Sequence, residues 1–279
     1  MASRISVNLI TLNEARNLPR CLASVAWADE IVVVDGGSGD GTMDVARRFT
    51  SHVFHHPFDN FSSQRNRAID RSTGDWILSI DADEWVPPSL AREIVGAVGA
   101  AADSTSGLWV PLHSRILGRR FRFGGTSHER KMRLFRRGRG RWQGAVHEIV
   151  RLRGRTESLR CGIEHDSTPD VPSYLRKMER YSDLAAQRLF AAGRRPGWSR
   201  QMLASLATFA RLYFGKLGMF DGPEGLRFSV LSGVESWVTY GKLARMCGAQ
   251  PRARISEAEP TSLLKEDWHD ATIAFARTG

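Results

Sequence analysis

Three cysteines in 279 residues, Cys21, Cys161 and Cys247, form neither a metal-binding spacing nor an even disulfide set. That excludes a disulfide-stapled scaffold and suits a reducing cytoplasm. No run of about 18 uncharged apolar residues occurs, so no membrane-spanning helix is expected. Met1 to Val7 lacks the apolar core of a signal peptide and leads straight into a strand-like run. The first such run is not followed by G-x-G-x-x-G, and no G-x-x-x-x-G-K-[ST] occurs, which argues against a dinucleotide-binding dehydrogenase and a P-loop nucleotidase. Acid is scarce in one region: from Arg115 to Arg160 fifteen Arg or Lys face only Glu129, Glu148 and Glu157. That segment carries +12 of a net +10, leaving −2 elsewhere. A block of this kind is expected to meet something anionic. It contains no groove-reading or base-stacking pattern, so nucleic acid is not the expected partner.

Hydrophobic content of 42% and charge of 25% are ordinary for a soluble α/β protein of this length. The stretch Trp76-Ile-Leu-Ser-Ile-Asp81-Ala-Asp83-Glu84-Trp85 reads as a buried parallel strand ending in acid. If the strand continues, Asp81 and Asp83 project to one side. Paired carboxylates suit Mg²⁺ or Mn²⁺, which takes one or two of them and completes its shell with water and substrate phosphate. Two earlier runs end similarly. Ile5–Ile10 leads into Thr11-Leu-Asn13-Glu14, and Glu30–Val34 into Asp35 and a glycine-rich turn. Strand and helix alternate throughout this half, with Asn17 a candidate cap for the first helix, so a mostly parallel sheet flanked by helices is expected. Ligands of such sheets sit beyond the carboxyl ends of the strands.

Ile5-Ser-Val-x-x-Ile-Thr-x-Asn-Glu14, Ile31-Val-Val-Val-Asp35-x-x-Ser-x-Asp-Gly-Thr42 and Gly74-Asp-Trp-x-Leu-x-x-Asp81-Ala-Asp83-Glu84 resemble the opening motifs of the inverting family 2 glycosyltransferases, which have the GT-A fold. Arg133-Leu-Phe-Arg-Arg137 and Gly144-Ala-Val-His147-Glu148 resemble, more narrowly, bacterial transferases that add glucose to the lipopolysaccharide inner core. The resemblance implies a UDP-hexose donor. Thr11, Asn13, Glu14 and Asp35 would hold the uridine, Arg65 would lean on the nucleotide, and Asp81 would lie by the ribose or a metal-bound water. Asp83 would ligate the metal, with His165 a candidate second ligand. At Gly36 this chain lacks the second Asp of many relatives. The implied domains are a GT-A domain over residues 1–168, divided into a nucleotide-sugar half (1–103) and an acceptor half (104–168), and a helical region over 169–279.

In the acceptor half Met132–Arg136 alternates like a strand with arginines on one face. An attacking hydroxyl needs a base within hydrogen-bond reach. Glu148 is the first choice, with His147 and Glu129 as rivals, while Glu84 is expected to orient the metal or cap the next helix. Beyond Val171 the apolar residues recur at helical spacing: Tyr174, Met178 and Tyr181, then Met202, Leu206 and Phe209, then Phe228, Leu231 and Val234. Packing of these stripes into a helical core is the first expectation, and docking on an anionic membrane surface the second. A short helix is expected near Trp268. The expected activity is transfer of a hexose from UDP to a hydroxyl of an anionic, lipid-linked saccharide at the inner face of the cytoplasmic membrane. Polyprenyl phosphate or protein is the alternative acceptor, and a basic nucleic-acid-binding module the alternative of another class.

Overall fold

Strands buried on both faces need apolar side chains on both, and the three runs that end in polar residues become the centre of the sheet. In chain order β1 (Ile5–Thr11), α1 (Leu18–Ser24), β2 (Glu30–Asp35), α2 (Thr42–Arg47), β3 (Val53–His55), α3 (Phe61–Arg71) and β4 (Trp76–Asp81) alternate. This computed structural model describes residues 3–123, 129–144, 148–195 and 197–249. His147 and the tail around Trp268 lie outside them. The chain divides into two compact units, Met1–His113 with His128–Asp166, and Ser114–Ser127 with Ser167–Gly279.

In the first unit β1 pairs in parallel with β2 on one side and β4 on the other, and β3 extends the sheet beyond β2. The order therefore reverses between β1 and β4, the crevice where such sheets bind ligands. Val7, Leu9, Val33, Leu78 and Ile80 pack with Leu18, Leu22, Leu90 and Ile94 into the main core. Asn17 precedes α1 but makes no side-chain cap. Its amide and that of Leu18 donate to the Glu14 carbonyl, and its Nδ2 to the Glu14 carboxylate at 2.8 Å. Asn60 does cap α3, accepting the Ser63 amide at 2.9 Å.

The chain continues through β5 (Glu84–Trp85), α4 (Pro88–Ala100), β6 (Thr105–Ile116), β7 (Arg119–Arg120), β8 (Arg130–Arg136), β9 (Gly140–Gln143), β10 (Ile149–Leu152), β11 (Arg155–Ser158) and β12 (Ile163–Thr168). β8 lies antiparallel between β4 and β6. Leu108 opposes Leu134 and Trp109 opposes Met132, which leaves Arg133 as an extra residue, a bulge. The arginines of this strand do not share a face. The bulge aims Arg133 at Asp81 and Glu84, whereas Arg136 donates to the Thr105 carbonyl and lies over the Trp76 ring. Glu84 caps no helix: α4 begins after Pro87 with no side-chain cap.

The second unit holds α5 (Val171–Ala191), α6 (Trp198–Ala210) and α7 (Pro223–Ala249), with a π turn at Arg211–Gly215 and a 3-10 turn at Gly218–Asp221 between the last two. Asp170 caps α5 by accepting the Ser173 amide at 2.8 Å. Tyr174, Leu212 and Phe228 bury together with Ile116 and Phe121. Ala186, Tyr240 and Leu243 form a second core. α6 departs from the core-packing expectation, because it buries no residue and leaves Trp198 71%, Leu203 69% and Leu206 60% exposed. Periodicity marks a helix as two-faced without saying that a partner covers the apolar face. No helix of the described residues is long and apolar enough to cross a membrane.

One acid in this helical unit makes stability depend on pH. Burial pushes the Glu235 carboxyl up to about 7, although the Tyr174 hydroxyl donates to it at 3.0 Å. The folded chain therefore keeps a proton that the unfolded chain releases near pH 4.5. The contribution of this group to stability is full below that value and is lost as pH rises through 7, up to about 3 kcal/mol. Thermal melts across this range should show the decline in the wild type and a flatter profile for Glu235→Gln. An unchanged slope in the variant would place the titrating group elsewhere.

Candidate active site

The site is built at the carboxyl ends of β1, β2 and β4. Asp35 ends β2 fully buried, and the amides of Gly37 and Ser38 donate to its Oδ1 at 3.0 and 2.8 Å. The Ser38 hydroxyl and Thr11 Oγ1 donate to Oδ2. Burial opposes ionisation of Asp35, but these donors outweigh it and hold its carboxyl below the usual range. Gly37, at φ 106°, supplies the left-handed turn that brings both amides onto one oxygen. Asn13, also left-handed at φ 57°, ties the first loop to this one: its amide donates to Ser38 Oγ at 2.8 Å and its Oδ1 accepts the Gly39 amide at 2.8 Å. The Glu14 amide donates to Thr42 Oγ1 at 2.8 Å. Thr11, Asn13, Glu14 and Asp35 thus belong to one hydrogen-bonded pair of loops. A side chain at Gly36 would press within 3.3 Å of both Phe58 Cβ and the Thr11 carbonyl, so the second Asp of many relatives has little room here.

Across β1 from this pair lies a buried cluster of charge. Thr11 registers with Asp35 and Ile10 with Asp81, so the two acids end strands whose backbones flank β1 about 10 Å apart, and the one-residue offset sends their side chains off opposite faces of the sheet. Arg65 Nη2 donates to Asp81 Oδ1 at 2.6 Å, and Arg133 Nη2 to Asp81 Oδ2 at 2.5 Å. Arg133, 2% exposed, also donates to Glu84 Oε1 at 2.6 Å, and Glu84 Oε2 accepts the Asp81 amide at 2.9 Å. Burial works against the charge on Asp81, but Arg133 and then Arg65 overcome it and keep the carboxyl far below its usual range. At Glu84 burial prevails over Arg133, with Asp81 adding to it, and the carboxyl is raised. Glu148, at the entry to β10, approaches Arg65 Nη2 at 3.4 Å and so joins this cluster. Glu129 lies instead 3.7 Å from Lys131.

Asp83 is in the turn after β4, not on the strand, so its relation to Asp81 comes from the turn rather than from alternation. Its Oδ2 is 3.3 Å from Nε2 of His165, which is 2% exposed on β12. Burial disfavours the imidazolium, but the charge and hydrogen bond of Asp83, followed by Glu84, raise its pKa. His165 Nδ1 has no protein partner among the described residues. No cluster of three or more metal-binding side chains occurs among the described residues. A carboxylate with an imidazole beside it fits a cation whose remaining ligands are water and phosphate oxygens.

Residues 6–159 match the model of glycosyl transferase family 2. The chain belongs to that family. It is 27% identical over 262 residues, covering 91% of this chain and 97% of the relative, to the lipopolysaccharide core biosynthesis glycosyltransferase LpsC of Rhizobium meliloti (strain 1021). Over 151 residues, 53% of this chain and 36% of the relative, it is 37% identical to a TPR repeat-containing protein of Synechococcus elongatus. Among solved structures it resembles glucosyl-3-phosphoglycerate synthase from Mycobacterium tuberculosis in complex with Mn²⁺ and UDP-glucose. That match has 24% identity and a TM-score of 0.34, over 40% of this chain and 44% of the other.

The fold of this family 2 glycosyltransferase is the GT-A architecture, a mostly parallel sheet with flanking helices, followed by a helical C-terminal part. Two residues stand in the quoted motifs with no role assigned to them, Arg133 of the charged cluster and Ser38 beside Asp35. Arg133 is one basic residue among fifteen in its segment, and only the bulge on β8 singles it out. Ser38 hides in a glycine-rich turn that reads as flexible, although its hydroxyl and amide both serve Asp35. A serine three residues after a buried acid is the available signal, because such hydroxyls and amides commonly close an Asx turn.

Proposed function

We propose that this glycosyltransferase moves a hexose, with glucose the first choice, from UDP to a hydroxyl of an anionic lipid-linked saccharide such as the lipopolysaccharide inner core, with inversion. The observation that supports the reading is that Asp35 and Asp81 end the parallel strands β2 and β4 and Asp83 follows in the next turn, each beside groups that keep a carboxylate charged or in place. Thr11, Asn13, Glu14 and Asp35 take the uridine, and Arg65 with Asp81 borders its ribose and phosphates. Asp83, with His165 beside it, would hold Mg²⁺ or Mn²⁺, which supplies positive charge to the departing diphosphate. Glu148 takes the proton of the acceptor hydroxyl as its oxygen attacks the anomeric carbon. The bond to UDP breaks on the opposite face, so an α-linked donor yields a β product. The LpsC relative supports the saccharide acceptor, and the exposed apolar side chains of α6 support work at the inner face of the cytoplasmic membrane.

Titration calorimetry of UDP and UDP-glucose with and without Mn²⁺ tests the reading. Binding should require the cation. Asp83→Asn should weaken it by about 10- to 100-fold, the worth of one charge-assisted contact. A wild-type protein with no heat of UDP binding would end the UDP-donor reading. Full affinity in the variant would take the cation away from Asp83.

A further inference from the structure

The helical unit contains a cavity of about 590 Å³ lined by Arg115, Arg119, Arg120 and Arg122, with Phe220 and Asp221 on its other wall. Four arginines on one short hairpin, against Asp221 and Glu224, leave this surface with an excess of positive charge. The Asp221 carboxylate offsets part of that charge and also ties the hairpin down: Oδ1 accepts the Arg122 amide at 2.8 Å and Oδ2 the Phe123 amide at 3.1 Å. Arg119 is matched by Glu224 at 2.9 Å, and Arg115 donates to the Gly118 carbonyl at 3.0 Å. These bonds fix the hairpin against the 3-10 turn and the start of α7. The wall opposite is apolar and faces outward. Phe220 is 63% exposed, its ring 5.6 Å from that of Phe123, and Met219 and Leu217 beside it are also exposed.

Guanidinium forks match the tetrahedral oxygens of phosphate, and they do so with several donors each. An aromatic and aliphatic rim beside a cationic cavity matches an amphiphile: phosphate in the cavity, hydrocarbon against the rim. We propose that this cavity binds the phosphate headgroup of an anionic membrane lipid, with Phe220 and its neighbours entering the acyl region. It deepens the membrane association proposed above and rests on that part alone, since neither UDP binding nor transfer enters the argument.

The test uses the full chain with phosphatidylcholine vesicles, with and without a minority of phosphatidic acid, and inorganic phosphate as the soluble probe. The wild type should partition onto the phosphatidic acid vesicles at least about tenfold better than onto phosphatidylcholine alone. Arg120→Gln with Arg122→Gln should remove most of that gain. Phe220→Ser should weaken vesicle binding while leaving protection by inorganic phosphate against thermal unfolding unchanged. Vesicle binding that survives the double arginine change overturns the proposal. Protection by inorganic phosphate with no vesicle binding overturns the lipid assignment, and so does vesicle binding unaffected by Phe220→Ser. UDP calorimetry on the same variants keeps the two readings apart: a loss of UDP binding in the wild type strikes the donor site and leaves the vesicle result standing.

Discussion

Glu148→Gln lowers turnover by about 10²- to 10⁴-fold, the span of a lost general base, and leaves the affinity for UDP-glucose within about twofold, less than half of the 1.4 kcal/mol that a tenfold change represents. The amide keeps the size and the hydrogen-bonding reach of the carboxylate but cannot accept the hydroxyl proton. Two features make the measurement clean. Glu148 is 3.4 Å from Arg65, whose shorter bond of 2.6 Å goes to Asp81, so Arg65 keeps its principal partner when Glu148 loses its charge. Glu148 is also partly exposed, which limits the stability cost of the lost pair to about 1 kcal/mol. A melting temperature near that of the wild type with collapsed turnover is the expected pair of results. Turnover that stays high directs the search to Glu129 or His147. Turnover and donor affinity that fall together assign Glu148 to the nucleotide through Arg65 instead.

How much of this site a sequence discloses depends on the range of the interaction that builds each part. β1, β2 and β4 are legible because a parallel strand covered on both faces must be apolar along its length, and the polar residue ending each run marks the ligand edge. Asp35 and Asp81 follow directly. Asp83 is legible as a residue but not in its geometry, since the strand stops at Asp81 and a turn carries the chain on. Arg133 depends on an antiparallel pairing that reaches 52 residues back to Asp81 and on a one-residue bulge. Neither leaves a local pattern in a segment where basic residues are everywhere. The same limit applies to α6, whose stripe has the spacing of a core helix while Leu203 and Leu206 stay largely exposed.

Arg133→Met is expected to cost about 3–5 kcal/mol of stability, a fall of roughly 10 °C in melting temperature for a chain of this size. Its size comes from what is left behind. Glu84, 1% exposed, would retain the Asp81 amide as its hydrogen-bond donor, and Asp81 would keep Arg65 and the weaker influence of Lys131. Burial already raises the Glu84 carboxyl with Arg133 in place, and without the cation it rises further. A carboxyl raised in the folded state stabilises at low pH and loses that contribution as pH climbs through its folded value. The deficit of the variant should therefore shrink as the solution is acidified. Glu84→Gln added to Arg133→Met should recover part of the loss, with a coupling of about 1–3 kcal/mol between the two positions. Arg133→Lys should fall between the wild type and the methionine variant, because one ammonium on a flexible stem reproduces the charge but not the fork that spans both acids. Strictly additive effects of the two changes, or a loss that deepens in acid, would mean that Arg133 stabilises β8 by packing and does not neutralise the acids at the strand end.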